Sequence, residues 1–474
     1  MIENFVLLIS AGMLVAKKFD SPFAQKHLYF NYGLLTLGSV LAEHGFNPQI
    51  FHGNFIPPAN FIDELEDKGL LNSKFPLLLS VPSSFSITWA REFCQRVKSV
   101  NKKIKIILGG RWVVGFDSKW ISNLIPEIDI IVFGMAEDRI VQLLDVQYWD
   151  KIPNTNLTGI KNTGLMIKNF PHLKYSLVEN YLEYQPSIEI SRGCGLGCLF
   201  CAEREDKMII ISNANEAISG IKNALNYYNN EEIHPYFEAS YFRPTMKWTN
   251  EFKQLFHEYN FNITWRCETR VDGIPLKILE LLANCGLKVI DLGLESASYS
   301  QLFEMNKTKN PKKYLYRAAH FLEKCRELNI WVKINILLFA GETKKSVMET
   351  VQWLLKYKDC IKGVSVNPLI LYRGDIDNVE YLNRLKNLGA YPVNGTMFMM
   401  KNGYDYLNLS SEIDHDLSKK LSLDICKLFM DEKDYFDLKS FSYFPRSFSF
   451  AGFLESVQSH THISLPFRTK FDKQ

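Results

Sequence analysis

Eight residues, Cys194-Gly195-Leu196-Gly197-Cys198-Leu199-Phe200-Cys201, hold three thiols at the spacing CxxxCxxC. Thiols this close can grip one metal centre. Gly193, Gly195 and Gly197 flank and interleave the first two, and glycines let a backbone fold tightly enough for all three sulfurs to point inward. Counting ligands narrows the metal. Structural zinc takes four ligands in a closed tetrahedron, whereas the next cysteine, Cys267, is far downstream. The C-x2-C-x2-C-x3-C spacing of two-cluster ferredoxins is absent. Three thiolates on a four-iron cubane leave one iron without a protein ligand, and that iron is free to bind a substrate or cofactor. The plainer alternative is three buried core cysteines that happen to cluster.

The spacing, with Phe200 just before the last cysteine, resembles the CxxxCxΦC signature of the radical S-adenosylmethionine (SAM) enzymes, in which Φ is aromatic. The resemblance implies that Cys194, Cys198 and Cys201 hold a 4Fe-4S cluster whose open iron chelates the amino and carboxylate groups of SAM. It also implies that electron transfer into the sulfonium releases a 5'-deoxyadenosyl radical, so that the enzyme needs an electron donor such as flavodoxin or ferredoxin.

The thiol loop follows Ser187-Ile188-Glu189-Ile190-Ser191, an alternating run that reads as a strand. Beyond it, strands over 235–239, 262–267, 289–294, 332–339 and 363–367 alternate with helices over 214–228, 250–259, 275–284, 312–328 and 343–357. Six strands with intervening helices predict an open (β/α)6 barrel over residues 187–375. Barrels of this kind do their chemistry at the carboxyl ends of their strands, where the thiol loop stands. Ahead of it, residues 1–150 alternate short apolar strands (5–9, 48–51, 77–81, 104–108, 128–133) with helices over 32–44 and 89–99. This pattern predicts a doubly wound, Rossmann-like parallel sheet covered on both faces. Its ligand edge is marked by Ser80, Ser83, Gly109, Gly110 and Gly134, which follow the third, fourth and fifth strands. No GxGxxG follows the first strand, so a nicotinamide site has little support. Residues 151–186, with Pro153, Pro171 and Pro186, read as a linker.

Further stretches resemble the cobalamin-associated branch of the radical SAM family: Trp265 to Asp272, Asp291-Leu292-Gly293-Leu294-Glu295-Ser296, Met305-Asn306-Lys307 and Gly341-Glu342-Thr343. The order of small residues in the first domain looks like the cobalamin-binding domain of that branch. The resemblance implies cobalamin held along Ser80, Ser83, Gly109, Gly110 and Gly134. No DxHxxG motif is present, so no histidine lower ligand to cobalt is expected from His27, His44 or His52. A flavodoxin-like domain without cobalamin is the plainer alternative. By the same resemblance Phe200, Glu238, Arg270 and Glu295 are SAM-site candidates. A carboxylate at Glu295 can accept from two ribose hydroxyls. Arg270 can pair with the SAM carboxylate or a neighbouring acid. Glu238 is the only acid where related enzymes often carry an Asp pair, and Phe339-Ala340 replaces the family's Gly-x-Pro. The plainer role for Arg270 and Glu295 is a salt bridge in the barrel mouth, even to one another.

Composition excludes several classes. Apolar residues at 46% and charged residues at 23% fit a globular protein. A net charge of +3, from 55 basic and 52 acidic residues, argues for no nucleic-acid partner. Nine cysteines, six of them scattered singly, make no disulfide framework, so a reducing cytoplasm is expected. The apolar run from Phe5 to Ala16 lacks a basic flank and is too short to span a bilayer, so it reads as a buried strand and turn, and no membrane partner is expected. Residues 376–474 change character: a helical pattern from Ser410 to Met430 precedes Tyr435, Phe436, Phe441, Tyr443, Phe444, Phe448 and Phe450. They predict a small, mainly helical domain whose aromatics either line a pocket or, as preferred, pack on the open side of the barrel. His415, His460 and His462 suggest no metal site.

The expected activity is cobalamin-dependent methylation of an unactivated carbon on a small molecule or peptide. The resemblance implies that the deoxyadenosyl radical removes a hydrogen, that methylcobalamin gives its methyl to the carbon radical, and that a second SAM remethylates the cobalamin. Its rivals are a rearrangement, cyclisation or polar methyl transfer with the same cofactors, a radical SAM enzyme with a structural first domain, and a cluster-bearing sensor. A methylthiotransferase needs three more cluster cysteines ahead of the barrel, where residues 1–150 offer only Cys94.

Overall fold

The computed structural model of the chain describes residues 4–16, 23–111, 118–149, 156–157, 171–229, 232–460, 464–470 and 472. Half of the expected linker, as well as His462, lies outside the described residues.

Along the first strand, β1 (Phe5–Ser10), successive side chains enter two different cores. Phe5, Leu7 and Ile9 pack with Phe61, Trp89 and Phe93, while Val6 and Leu8 pack with Leu34, Leu35 and Leu41. A strand apolar on both faces needs helices on both sides, and the chain supplies them as Tyr32–Glu43 on one face and Pro58–Asp67 with Ile87–Val100 on the other. The remaining strands are β2 (Asn47–His52), β3 (Leu77–Ser80), β4 (Ile106–Gly109), β5 (Ile130–Val132) and β6 (Asn156–Leu157). They pair in parallel in the order β2-β1-β3-β4-β5-β6. The order reverses between β1 and β3, which opens a crevice at the carboxyl ends of those strands. The doubly wound expectation is met. The helices Pro58–Asp67 and Ser118–Leu124 were not foreseen. Pro58 opens the first of them, where a residue without an N–H costs nothing.

Residues 171–186 are more than a connector. Val178 bridges Ile50 at the sheet edge, the Glu179 N–H donates to the Ile50 carbonyl (2.8 Å), and the buried Tyr175 hydroxyl donates to the Ser187 carbonyl (2.9 Å). The segment thus ties the first sheet to the start of the next.

That second sheet begins with β7 (Ser187–Glu189), followed by the antiparallel ribbon β8 (Ser191–Arg192) and β9 (Ile209–Ile210). Then come β10 (Tyr236–Glu238), β11 (Trp265–Arg270), β12 (Leu287–Glu295), β13 (Trp331–Leu338) and β14 (Gly363–Pro368). The sheet order β14-β13-β12-β11-β10-β7, parallel throughout, is the expected open six-stranded barrel. Caps fix the helix starts. The Thr245 hydroxyl accepts from the Trp248 N–H, so the helix Met246–Glu258 begins four residues before the expected Asn250. Asn310 with Pro311 starts the helix Pro311–Glu327.

The barrel strands alternate between two chemistries. Phe237, Cys267, Ile290, Val332 and Val364 face outward into the helices. Tyr236, Glu238, Arg266, Glu268, Asp291 and Lys333 lie on the other face, so the lumen is polar rather than filled by the apolar layers of a closed barrel. Its floor is an ion cluster. Arg266 grips Asp291 through Nε (2.5 Å) and Nη2, Lys333 Nζ approaches the other oxygen (2.5 Å), and Arg266 Nη1 donates to the Leu438 carbonyl (2.9 Å). Burial opposes ionisation of Asp291, but the charges of Arg266 and Lys333 outweigh it and hold the carboxyl at about 2.

The chain then adds a small antiparallel sheet that the sequence did not reveal, with β15 (Ile370–Tyr372), β16 (Tyr391–Pro392) and β17 (Tyr404–Asn408) in the order β15-β17-β16. The helices His415–Phe429, Glu432–Ser440 and Phe450–Ser459 follow. Tyr435, Phe441 and Phe444 are buried in the barrel's own core beside Phe453, Phe467 and Phe23. Among the two expected roles for these aromatics, packing is the one observed. His415 stacks on Tyr406, and His460 Nδ1 lies 2.7 Å from the Ser456 carbonyl. No helix of the described residues is long and apolar enough to cross a membrane.

Candidate active site

The thiol loop leaves the carboxyl end of β7 and is shaped by three glycines with left-handed backbones, Gly193 (φ 74°), Gly195 (φ 66°) and Gly197 (φ 74°). At Gly193 a β-carbon would lie 2.6 Å from the Lys207 carbonyl oxygen, so no other residue fits that turn. The loop is laced from two sides. The Cys194 N–H donates to Asp206 O (2.8 Å), the Leu199 N–H to Met305 O (3.0 Å), and Asn306 Nδ2 to Gly197 O (2.7 Å). All three thiols are free, with Cys198 buried and Cys194 and Cys201 partly so. No group of three His, Cys, Asp or Glu side chains among the described residues is drawn together tightly enough for a single metal ion. A 4Fe-4S cluster, larger than a single ion, can take three thiolate ligands from one such loop. Burial raises the Cys194 thiol and pushes Cys201 up to about 11, so loading a metal releases protons.

Arg270, at the end of β11, reaches Cys198 Sγ with Nη1 (3.0 Å), Lys307 O with Nη2 (2.8 Å) and Asp272 with Nε (3.1 Å). Glu295 ends β12 at a break in register, with φ 70° in a residue that has a β-carbon. Such a backbone costs energy and is held only where the surroundings over-determine it. Here the carboxylate is fixed by Lys307 Nζ at 2.9 Å, whose cation also faces the Phe200 ring (5.8 Å to the centroid). Arg270 and Glu295 therefore do not pair with each other, as one expectation allowed. They stand on either side of Lys307, a buried residue the sequence reading quoted only as part of a stretch. Its signal was its place in the Met305-Asn306-Lys307 stretch, directly after the Asn306 that braces the loop.

Glu238, at the end of β10, accepts from Ser187 Oγ (2.9 Å), and its carboxyl is pushed up to about 7, chiefly by burial. Glu268 on the next strand also sits at about 7, through burial first and then repulsion from Asp291, with Lys333 opposing. Glu268 was missed because its neighbours in sequence look like a plain strand. A carboxyl whose folded value lies above its ordinary 4.5 costs stability as pH rises from 4.5 through 7. Glu268→Gln should therefore raise the stability of the apoprotein at pH 8 by about 3 kcal/mol and leave it unchanged at pH 4. Equal gains at both pH values in calorimetry would contradict this.

Ser80, Ser83, Gly109, Gly110 and Gly134 all stand at the carboxyl edge of the first sheet. Asn31 links Ser10 Oγ (2.9 Å) and Ser80 Oγ (3.1 Å) across the β1/β3 switch, while Ser83 Oγ caps the Phe85 N–H (3.3 Å). A β-carbon on Gly110 would lie 2.6 Å from Val81 N, whereas one on Gly109 has only Val132 O within reach, at 3.7 Å. Gly110 is thus required by the fold, and Gly109 is open. Among the histidines considered, His52 ends β2, with its Nε2 accepting from the Asn31 N–H (3.0 Å) and its ring buried between Phe30 and Tyr184.

The edges of the two sheets are joined. Arg111, after β4, pairs with Glu203, two residues past Cys201. Arg192 holds Glu189 through two bonds (2.5 and 2.9 Å) and reaches Glu137 (2.8 Å), beyond Gly134. Met13, Phe55 and Phe85 from the first domain meet Tyr372, Tyr404 and Tyr406 from the small sheet, with Phe85 stacked on Tyr404 at 4.2 Å. The two candidate sites, expected on separate domains, adjoin.

Residues 188–354 match the sequence profile of the Radical SAM superfamily, so the barrel is a radical SAM domain, the class whose chemistry uses a 4Fe-4S cluster and SAM. The whole chain is similar in fold to two solved cobalamin-associated radical SAM enzymes. The radical S-adenosylmethionine methyltransferase TsrM from Kitasatospora setae, solved with cobalamin and a [4Fe-4S] cluster bound, matches with a TM-score of 0.63 at 13% identity, over 92% of this chain and 89% of that one. The cobalamin-dependent S-adenosylmethionine radical enzyme OxsB matches with a TM-score of 0.66 at 15% identity, over 97% of this chain and 71% of that one. No curated protein sequence matches the chain.

If Glu295 accepts from SAM, Glu295→Gln should weaken SAM binding about tenfold while iron content stays at the wild-type level. Equal affinities in calorimetry would leave Glu295 as the partner of Lys307 alone.

Proposed function

We propose that this protein is a cobalamin-dependent radical SAM methyltransferase acting on an unactivated carbon of a small molecule or peptide. The observation that carries the reading is the meeting of two ligand edges. The carboxyl edge of the doubly wound sheet, lined by Ser80, Ser83, Gly109 and Gly134, is tied to the thiol loop by Arg111–Glu203 and to β8 by Arg192–Glu137. A methyl donor on one edge and a radical source on the other would then share one substrate. The fold shared with TsrM and OxsB supports the same reading.

Cys194, Cys198 and Cys201 would hold the cluster, and Arg270, Glu238 and Glu295 the SAM. When bound, the cluster and SAM supply a carbon-centred radical, and cobalamin supplies the methyl group. The chain's own residues do the rest. Arg270 offers positive charge beside Cys198 and, in the same stroke, fixes the Lys307 backbone. Lys307 orients the Glu295 carboxylate from below. Glu238 and Glu268, both near neutrality in their titration, can take or give a proton in the lumen at physiological pH. The Arg266–Asp291–Lys333 floor and the Tyr443 ring above Arg266 close the lumen from below.

The test is product analysis of SAM turnover with anaerobically reconstituted protein. Formation of both 5'-deoxyadenosine and S-adenosylhomocysteine supports radical methylation. The first alone favours rearrangement, the second alone polar methyl transfer, and neither a sensor.

A further inference from the structure

The Arg270 guanidinium is held from three sides. Its Nη1 donates to Cys198 Sγ at 3.0 Å, its Nη2 to the Lys307 carbonyl at 2.8 Å and its Nε to Asp272 at 3.1 Å. Three anchors on one planar group fix its orientation, and the remaining N–H donors stay available to a SAM carboxylate. The side chain is 11% exposed and Cys198 is buried, so cation and sulfur meet where water and salt screen little.

Cys201 also accepts a hydrogen bond, but from the main chain, the Glu203 N–H at 3.4 Å. Arg270 is thus the only side chain among the described residues that donates to one of the three sulfurs. Lys307, a buried cation of the same mouth, is matched by the Glu295 carboxylate at 2.9 Å. Asp272 offsets Arg270 less completely. It holds Nε rather than the nitrogen on the sulfur, and its side chain is 32% exposed, where water weakens its field.

An iron-sulfur cluster that gains an electron spreads part of the added negative charge onto its thiolate ligands. A cation hydrogen-bonded to one of those sulfurs stabilises the reduced state more than the oxidised one. Net charge and hydrogen bonds to sulfur are among the factors that set the potential of such clusters.

On the basis of the radical SAM function proposed above, we infer that Arg270 raises the reduction potential of the cluster through its bond to Cys198 Sγ, with Asp272 as a partial brake. In the step it tunes, an external one-electron donor is oxidised by one electron and the cluster reduced by one, and no bond is made or broken. The same guanidinium ties the potential to the shape of the site, because its Nη2 fixes the backbone of the lysine that orients Glu295.

The test is the midpoint potential of the reconstituted cluster, read by electron paramagnetic resonance at a series of set potentials with no SAM present. Leaving SAM out separates this role from a contact to the SAM carboxylate, whose loss leaves the potential of the SAM-free cluster unmoved. Arg270→Met removes both the charge and the donors, and should lower the equilibrium constant for reduction about tenfold, or about 59 mV for one electron. Arg270→Lys keeps the charge and should recover part of that loss. Asp272→Asn removes the counter-charge and leaves Arg270 on the sulfur, so it should move the potential upward by a smaller factor. A residue that only braces the loop produces no such pair of opposite shifts. An unchanged potential in Arg270→Met at wild-type iron content overturns the inference and leaves the proposed function standing. If Arg270→Met loads no cluster, Asp272→Asn decides alone: a raised potential supports the inference and an unchanged one overturns it. Wild-type protein that assembles no four-iron cluster overturns the proposed function itself, and the role of Arg270 with it.

Discussion

Alanine at any one of Cys194, Cys198 or Cys201 is expected to abolish the iron-sulfur cluster. Wild-type protein reconstituted anaerobically should hold about four irons and show the visible charge-transfer absorption of a cluster, and each variant should hold almost none. The reason is geometric as well as chemical. The loop is pinned by Cys194 to Asp206, Leu199 to Met305 and Asn306 to Gly197, so no other thiol can swing in to replace a missing ligand. Cys267, the next in sequence, is fully buried on the outer face of β11 among the helices. The variants should fold, because none of the three side chains fills the core in the way Cys267 or Cys325 does. A single variant that retained about four irons with an unchanged spectrum would remove that cysteine from the ligand set.

Asp291→Ala is expected to be among the most destabilising single substitutions in the barrel, by about 3–5 kcal/mol. It would strand Arg266 and Lys333, both on the lumen side and the first of them fully buried, with no anion between them. The penalty comes from the uncompensated cations rather than from lost packing. A triple replacement of Arg266, Asp291 and Lys333 by apolar residues of similar size should therefore be far milder than Asp291→Ala alone. Chemical denaturation of the apoproteins distinguishes the two: if Asp291→Ala shifts the midpoint no more than a surface substitution does, the cluster is not holding the barrel floor.

Much of this architecture was legible because its signals are local. Strands such as β1 and β3 are continuous apolar runs, which only a sheet buried on both faces accommodates, and the thiol spacing announces itself within eight residues. The boundaries that slipped did so at capped or uncapped ends: Thr245 starts a helix earlier than apolar periodicity indicates, and β11 continues through Glu268 and Arg270 because its lumen-facing side is charged. The polar lumen is also why Lys307 and Glu268 escaped notice, since a lysine or glutamate in isolation reads as solvated surface. The partnership of Glu295 with Lys307 rather than Arg270 depends on a register break in β12 that no sequence pattern encodes. The small sheet of β15, β16 and β17 was invisible for a different reason: its strands are two to five residues long and gain their stability from Phe85 and Met13 of a distant domain.

The joining of the two edges is not local either, because Arg111–Glu203 and Arg192–Glu137 link residues that are 92 and 55 positions apart. It sets the carboxyl edge of the doubly wound domain against the thiol loop, as the proposed shared site requires. The most direct measurement is cobalamin stoichiometry by absorbance after loading the reconstituted protein, taken together with its iron content, in wild type and in Gly109→Leu, where the new side chain meets open space rather than the clash that Gly110 would impose. Wild type should take up close to one cobalamin per chain, and Gly109→Leu should lose most of it with its iron unchanged. Wild-type protein that carries a full cluster and takes up no cobalamin would contradict the two-cofactor site and leave the first domain as a scaffold.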